Sequence, residues 1–202
     1  MKDPTNSSAR KLYWRKYVMS ATKLVIGVVG MPGSGKSLVG EVAAAMGFGV
    51  VSMGDIIREE SQVRGVQPNR ENLTRIMYDM REKGGASVVA AKCIPLISRS
   101  MKQVVVVDGL RSVPEIEEFR KNFATFCVLC VHASPESRFR RLFGRGRSDD
   151  PIHLTEFSDR DSKELQIGIG STIALADFML CNEGTTRQFK TKVRRFFRTY
   201  AT

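Results

Sequence analysis

The stretch Gly30–Ser37 has the glycine, lysine and serine spacing of a phosphate-binding loop. It fits the Walker A pattern, in which a glycine and four further residues precede Gly-Lys-Ser. Glycines let backbone N–H groups turn inward around phosphate oxygens, and a following helix adds its own N-terminal N–H groups. Lys36 would reach the β- and γ-phosphates as a point charge, and the Ser37 hydroxyl would ligate Mg²⁺. The pattern predicts an ATP site made of Gly30, Met31, Pro32, Gly33, Ser34, Gly35, Lys36 and Ser37.

Asp108 is a second candidate because it ends the apolar run Val104–Val107. A carboxylate at the tip of a buried strand is what a Walker B element supplies to position magnesium. Short apolar runs that end in aspartate are common, and the alternative is an aspartate that caps the next helix. Beside a phosphate-binding loop, the pattern favours Ser37 and Asp108 as the metal ligands of an ATP–Mg²⁺ site.

The elements that must position these residues are also present in the sequence. Leu24–Val29 is a near-continuous apolar run, typical of a strand buried on both faces, and a helical segment continues to about Met46. Further strands are predicted at Val50–Met53, Val104–Val107, Phe126–Val131 and Asp177–Cys181. Strands that alternate with helices indicate a parallel sheet covered on both faces, with ligands at the carboxyl ends of the strands. Without this context the motif would be only a glycine-rich turn.

Composition limits the class of protein. A chain of 202 residues suits one domain, and no apolar run approaches the ~20 residues that a membrane helix needs. Because the N-terminus also lacks the apolar stretch of a signal peptide, we expect a cytoplasmic protein with no membrane partner. Cys127 and Cys130 have the spacing of half a zinc site, but they lie in a predicted strand and should face opposite sides of the sheet. Buried, reduced thiols are the favoured interpretation.

The formal net charge of +11 is located at the two ends of the chain. Residues 1–23 carry six basic residues against Asp3, and residues 184–202 carry six basic residues and no acidic one, so the body between them is neutral. Basic tails can bind nucleic acid or anionic lipid, and solvated, partly disordered ends are the alternative. The sequence predicts a flexible basic tail over residues 1–22, a domain over 23–202 and weak nucleic-acid binding by the tails.

From about Leu24 to the C-terminal helix, the sequence resembles the nucleoside-monophosphate-kinase group of P-loop proteins. Ser52–Arg58 is similar to the segment after the second strand in adenylate kinases, whose arginine holds the acceptor phosphate, and this implies that role for Arg58. Asp108–Arg111 is similar to that family's Asp-Gly-Phe-Pro-Arg without the Phe-Pro, which implies Arg111 as a second acceptor ligand. Arg141–Arg145 matches Arg-x-x-Gly-Arg at the start of the lid. That match implies that Arg141 stacks on the adenine and that Arg145 contacts the transferring phosphate.

The C-terminal part, which includes Ala176-Asp177 and Asn182, is similar to dephospho-coenzyme A kinases. In those enzymes an aspartate at the place of Asp55 acts as base for a hydroxyl acceptor, which implies a catalytic and acceptor-binding role for Asp55. The overall pattern most resembles the archaeal adenylate-kinase-related proteins, including Arg147–Asp150 and Gly168–Gly170. The resemblance implies a three-layer α/β P-loop NTPase fold with a five-stranded parallel sheet, acceptor-binding helices over about 54–100 and a short lid over about 144–158.

Together these patterns predict an ATP-dependent phosphotransferase with Lys36, Asp55 and Arg145 as catalytic residues. The acceptor would be a small anionic nucleotide, either a nucleoside monophosphate or a compound like dephospho-coenzyme A, and Asp55 would act as a base only for a hydroxyl acceptor. One alternative is a P-loop NTPase with a regulatory or RNA-associated role that uses the basic tails. Another is a nucleotide-binding protein that has lost catalysis, against which the intact Lys36, Ser37 and Asp108 argue. Taken singly, each arginine is better explained as a solvated surface charge, but as a set at predicted strand ends and a lid they favour function.

Overall fold

The computed structural model describes residues 23–146 and 150–201. Its strands are β1 (Leu24–Val29), β2 (Gly49–Ser52), β3 (Val104–Asp108), β4 (Thr125–His132) and β5 (Phe178–Cys181). They form one five-stranded sheet in the order β2-β3-β1-β4-β5, and every neighbouring pair is parallel. The predicted five-stranded parallel sheet is confirmed. The predicted tail over residues 1–22 lies outside the described residues, as do Arg147, Ser148 and Asp149 of the predicted lid.

Helices fill the connections between the strands. They are α1 (Lys36–Ala45), α2 (Met53–Val63), α3 (Arg70–Gly84), α4 (Val88–Arg99), α5 (Val113–Asn122), α6 (Pro135–Arg145), α7 (Leu154–Ile167), α8 (Ile169–Ala174) and α9 (Thr186–Tyr200). No helix in the described ranges is both long and apolar enough to cross a membrane.

The sheet separates two hydrophobic clusters, because alternate residues of each strand face opposite sides. Val25 and Val29 of β1 pack with α2, α3, α4, α5 and α8 on one side, whereas Ile26 packs with α1 and α9 on the other. Cys127 lies in the second cluster and Cys130 in the first, and both are free thiols. The prediction that these cysteines face opposite sides of the sheet is confirmed, and the fold has three layers.

The strand register brings the two predicted phosphate and metal elements together. Val28 of β1 is paired with Asp108 of β3 and with Leu129 of β4. Gly30 follows β1 directly, so the loop and Asp108 meet at the carboxyl edge of the sheet, where ligands of parallel α/β sheets bind.

Two local predictions need correction. The sequence predicts a helix over Ala86–Ser100 with a kink or boundary at Pro95, and the structure excludes the boundary because α4 runs from Val88 to Arg99. The sequence also predicts one helix from Ser158 to about Leu175, but the structure has two, because Gly168 ends α7 in the left-handed region with φ of 109°. The sequence also predicts a basic helix over Thr186–Tyr200, which is confirmed as α9, so the alternative of a disordered C-terminal end is wrong there. Its apolar side chains recur at helical spacing and are buried in the core: Phe189, Val193, Phe196 and Phe197.

Candidate functional site

The phosphate-binding loop is held from behind by two distant elements. The side-chain amide of Asn182, at the end of β5, donates to the backbone oxygen of Ser34 at 2.8 Å. Arg138 of α6 donates to the backbone oxygen of Pro32 at 3.2 Å and forms a bidentate pair with Asp161 of α7. The end of β5 and α6 therefore both hold the loop, and α7 holds the arginine that α6 supplies, so the loop is fixed in shape before any ligand binds.

Gly35 meets two requirements that only glycine satisfies. Its backbone lies in the left-handed region, with φ of 99° and ψ of 25°, at the N-terminus of α1. A β-carbon built on Gly35 would lie 2.4 Å from Nδ2 of Asn182. The conformation therefore turns the loop into the helix while leaving room for Asn182 behind it.

We expect Gly35→Ala to weaken binding of ATP–Mg²⁺ by at least about tenfold, since the loop must shift away from Asn182. The left-handed backbone adds about 1–2 kcal/mol of strain, which should appear as a lower free energy of unfolding. Gly40→Ala is the matched control, because Gly40 lies within α1 and its added β-carbon would make only ordinary contact with Val50 at 3.5 Å. Calorimetric titration and urea unfolding measure both effects, and an unchanged affinity in Gly35→Ala would contradict the assignment.

Lys36 is half-buried and turned back onto the loop. Its ammonium group donates to the backbone oxygens of Gly30 and of Met31, the latter at 3.3 Å. Burial lowers the pKa of Lys36, and the carboxylate of Asp108 opposes that effect. The hydrogen bonds of this ammonium group to described residues go to carbonyl oxygens, which it is suited to exchange for the stronger charge of a phosphate.

Asp108 carries the complementary group. Its Oδ1 atom is buried and has no hydrogen-bond partner among the described residues. Burial raises the pKa of Asp108, although Lys36 and Arg111 pull it down. An orphaned carboxylate oxygen of this kind fits a cation, because a cation would remove the cost of leaving it unpaired.

A divalent cation at this site would need phosphate oxygens of a bound nucleotide in addition to the protein groups. The described part of the chain has no group of three or more His, Cys, Asp or Glu residues that could hold a metal ion alone. Mg²⁺ commonly takes one or two protein groups plus substrate phosphates, so Asp108 and Ser37 fit a cation that arrives with a triphosphate. The donor set therefore matches the predicted site.

The loop forms the floor of a cleft of about 400 Å³. Seven basic and three acidic side chains line it. The basic ones are Lys36, Arg58, Arg81, Arg111, Arg141, Arg145 and Arg160, and the acidic ones are Asp108, Glu115 and Glu164. The excess of positive charge suits a ligand with several negative charges, and the volume suits a small molecule.

Most of the predicted site residues do line this cleft. They are Gly30, Pro32, Gly33, Gly35, Lys36, Ser37, Arg58, Asp108, Arg111, Arg141 and Arg145. Met31 and Ser34 belong to the loop but do not line the cleft, and Ser34 is fully buried.

Asp55 departs from the expectation. Its Oδ1 accepts hydrogen bonds from Arg58, 2.6 Å from Nη2 and 3.1 Å from Nε, and the Asp55 side chain is 67% exposed. Both residues lie in the first turns of α2, three positions apart, where their side chains are neighbours on the helix surface. The structure therefore brings Asp55 to Arg58 and does not place it on the wall of the cleft.

The predicted lid arginines are held in two ways. Nη2 of Arg141 donates to the backbone oxygen of Asn182 at 2.6 Å, so Arg141 lies beside the loop. Arg145 pairs with Asp150 through Nε at 2.8 Å, and Nη1 of Arg160 lies 3.5 Å from the same carboxylate. The Asp150 side chain is only 2% exposed. Through its pairs with Arg145 and Arg160 it ties the end of α6 to α7.

Four charged residues of the cleft were not predicted as site residues from the sequence: Arg81, Glu115, Arg160 and Glu164. Arg81 lies one helical turn after Met77 on α3, at a position where the apolar stripe of that helix would place another apolar residue. A charged residue at such a position is the signal that could have indicated Arg81. Arg138 was also missed, although it supports the loop. No local pattern indicates it, because Asp161, its partner, lies 23 residues away.

Comparison with known proteins finds a family and a fold. Residues 29–156 match a family model described as an AAA domain. A UPF0200 protein of Hyperthermus butylicus is 45% identical over 175 residues, which cover 87% of this chain and 94% of that protein. A UPF0200 protein of Methanothermobacter thermautotrophicus is 43% identical over 178 residues, with coverage of 88% and 91%.

Solved structures share the fold at low identity. Shikimate kinase from Bacteroides thetaiotaomicron superposes with a TM-score of 0.62 and 15% identity over 89% of this chain and 99% of that one. TT1252 from Thermus thermophilus superposes with a TM-score of 0.61 and 19% identity over 88% and 97%. This likeness shows an α/β P-loop kinase fold, and the finer resemblance to adenylate and dephospho-coenzyme A kinases stays a prediction.

Proposed function

We propose that this chain, which belongs to the UPF0200 protein family and carries an AAA domain, is an ATP-dependent phosphotransferase acting on a small anionic acceptor. One observation carries the proposal. Lys36 and the unpaired carboxylate of Asp108 meet at the floor of a cleft whose walls carry arginines from separate elements. Phosphoryl transfer depends almost entirely on positioning and charge neutralisation, and this cleft supplies both.

The donor would lie along the phosphate-binding loop. Backbone N–H groups of Gly33–Ser37 would surround its phosphates, and Lys36 would exchange its two carbonyl contacts for β- and γ-phosphate oxygens. Ser37 and Asp108 would hold Mg²⁺, which would supply positive charge to neutralise the phosphate groups. Arg141 lies beside the loop through its bond to Asn182, which suits contact with the nucleotide.

Arg145 would have to leave Asp150 to reach the transferring phosphate. Its pairing is partly exposed, with 36% of the Arg145 side chain accessible. Arg160 also lies near Asp150 and would keep that carboxylate partnered after such a move. In the proposed closing movement, Arg145 therefore leaves the Asp150 carboxylate and binds a phosphate instead.

The acceptor would lie on the side of the cleft that is lined by Arg58 and Arg111, and we propose a nucleoside monophosphate or a nucleotide like dephospho-coenzyme A. The pairing of Asp55 with Arg58 favours an acceptor whose oxygen is already ionised, since such an acceptor needs no base. A hydroxyl acceptor would require Asp55 to release Arg58 and turn into the cleft.

The test is transfer of the γ-phosphoryl group from ATP–Mg²⁺ to a panel of acceptors, followed by mass spectrometry of the products. The panel holds each nucleoside monophosphate, dephospho-coenzyme A and shikimate, with acceptor-free hydrolysis as the control. We expect a phosphorylated product from one nucleotide class. Hydrolysis that RNA stimulates, with no product on any acceptor, would contradict the proposal and favour an NTPase that uses the basic ends of the chain.

A further inference from the structure

Arg81 of α3 lies in the same cleft, and its guanidinium group is only partly used. Its Nη2 donates to Oε1 of Glu115 at 2.7 Å. Its Nε and Nη1 atoms are buried and have no hydrogen-bond partner among the described residues. A guanidinium group has five N–H donors, and leaving buried charged donors unpaired is costly. The orphaned donors of Arg81 therefore point to an anionic ligand.

Glu115 fixes the orientation of Arg81. Its side chain is fully buried, and its Oε2 accepts the backbone N–H groups of Arg111 at 2.8 Å and of Ser112 at 3.2 Å. With Oε1 on Arg81, both carboxylate oxygens are occupied. Glu115 thus joins the last turn of α3 to the turn that precedes α5, and it keeps the planar fork of Arg81 at one angle in the cleft.

Arg111 converges on the same part of the cleft. Its Nη1 lies 3.1 Å from the sulfur of Met77, which is one helical turn before Arg81 on α3. Its Nε lies 3.6 Å from Oε2 of Glu164, a distance at which the ion pair is loose. Since its backbone N–H is bound to the glutamate that holds Arg81, the two guanidinium groups flank one stretch of wall.

We infer that Arg81 and Arg111 form an anion subsite that binds a phosphate monoester of the acceptor, with Glu115 as the positioning residue. This inference rests on the proposed function and deepens it, because it gives the acceptor a phosphate group at a defined end of the cleft. Arginine forks match the oxygens of a phosphate group in pairs, and one fork that is already held rigid loses little entropy on binding.

The test separates this subsite from the phosphate-binding loop. The loop is first saturated with a non-hydrolysable ATP analogue and Mg²⁺, and inorganic phosphate and adenosine monophosphate are then titrated calorimetrically in separate experiments. We expect at least one probe to bind the wild-type protein. Arg81→Met should weaken that binding at least tenfold, whereas Arg81→Lys should have a smaller effect because it keeps the charge and loses only the fork.

Two control variants separate a specific effect of Arg81 on binding from a general effect on the protein. Arg75→Met makes the same change on an exposed face of α3, where Arg75 donates a hydrogen bond to Asn72, and this variant should bind the probe as the wild type does. The double variant Arg81→Met/Glu115→Gln leaves no unpaired buried charge and guards against misfolding. Both Arg81 variants should bind the ATP analogue normally, which a general loss of structure would not allow.

Either of two results would overturn the subsite. One is that neither probe binds the wild-type protein once the loop is filled, and the other is that Arg81→Met binds the probe as tightly as the wild type. A wild-type protein that fails to bind the ATP analogue in the first step would instead contradict the proposed function. The two failures are therefore distinct.

Discussion

Replacing Lys36 by alanine should lower phosphoryl transfer from ATP by at least about 10³-fold, the scale seen when a group that stabilises transition-state charge is removed. The ammonium group lies at the floor of the cleft, and among the described residues no other lysine lines it. The carbonyl oxygen of Met31 also accepts the backbone N–H of Ser34 at 3.1 Å, so the turn of the loop does not depend on Lys36 alone. We therefore expect the variant to stay folded while it loses turnover, which rate measurements and circular dichroism can show.

Lys102→Ala is the matched control, because Lys102 is exposed on the connection between α4 and β3 and does not line the cleft. It should keep the wild-type rate. Full activity in Lys36→Ala would remove the assignment of Gly30–Ser37 as the ATP site, whatever the acceptor.

Asp108→Asn should produce two opposite effects. Transfer should fall by about 10²–10³-fold, because asparagine is a weaker Mg²⁺ ligand and neutralises no charge. The ligand-free protein should gain stability at neutral pH. Burial raises the pKa of Asp108, so the ionised carboxylate destabilises the folded state, and asparagine cannot ionise.

The pH dependence follows from the direction of this shift. Below the ordinary pKa of 3.8, Asp108 is protonated in the folded and unfolded states and costs nothing. As the pH rises, the unfolded state loses its proton first, so the cost grows until the raised folded pKa is passed. In thermal unfolding, the stability gained by Asp108→Asn should therefore increase as the pH rises above about 4, and it should level off once the folded-state carboxyl group has ionised. Transfer by the wild type should fall as acid protonates Asp108.

Asp79→Asn is the contrasting control for Asp108. Hydrogen bonds from Lys83 and Arg64 lower the pKa of Asp79, so its charged form stabilises the fold. Removing that charge should reduce stability at neutral pH and leave transfer unchanged, since Asp79 does not line the cleft. A loss of stability in Asp108→Asn equal to that in Asp79→Asn would contradict the conclusion that the ionised Asp108 carboxylate destabilises the folded protein.

The central part of the fold is local in the sequence, and it could therefore be predicted. The run Leu24–Val29, the loop that follows it and the helix after Lys36 are consecutive, and each has its own pattern of residue types. Asp108 could be predicted for the same reason, because it directly ends an apolar strand. The parallel register then brings these two segments together without any further information in either one.

The parts that could not be predicted depend on pairs that are distant in the chain. Arg81 and Glu115 are 34 residues apart, and neither one indicates the other by spacing. Asn182 reaches the loop across 148 residues, so its contact with Ser34 follows only from the order of the strands. The pairing of Asp55 with Arg58 also could not be predicted, because a resemblance in residue type and spacing does not determine which way a carboxylate turns.

The basic C-terminal stretch shows a different limit. Its charges suggested a solvated end, yet the four apolar residues at helical spacing place α9 in the core beside α1. The basic residues of α9 therefore lie on a helix whose apolar face is packed in the core. Charge composition alone does not distinguish a free tail from the outer face of a packed helix.

The most direct measurement follows the labelled γ-phosphoryl group of ATP and determines how it is divided between acceptor and water. The experiment uses the wild-type protein with Mg²⁺ and a panel of nucleoside monophosphates, dephospho-coenzyme A and shikimate. We expect one anionic acceptor to receive most of the label, and Lys36→Ala to abolish that transfer. Release of all the label as inorganic phosphate, with every acceptor unmodified, would contradict a phosphotransferase.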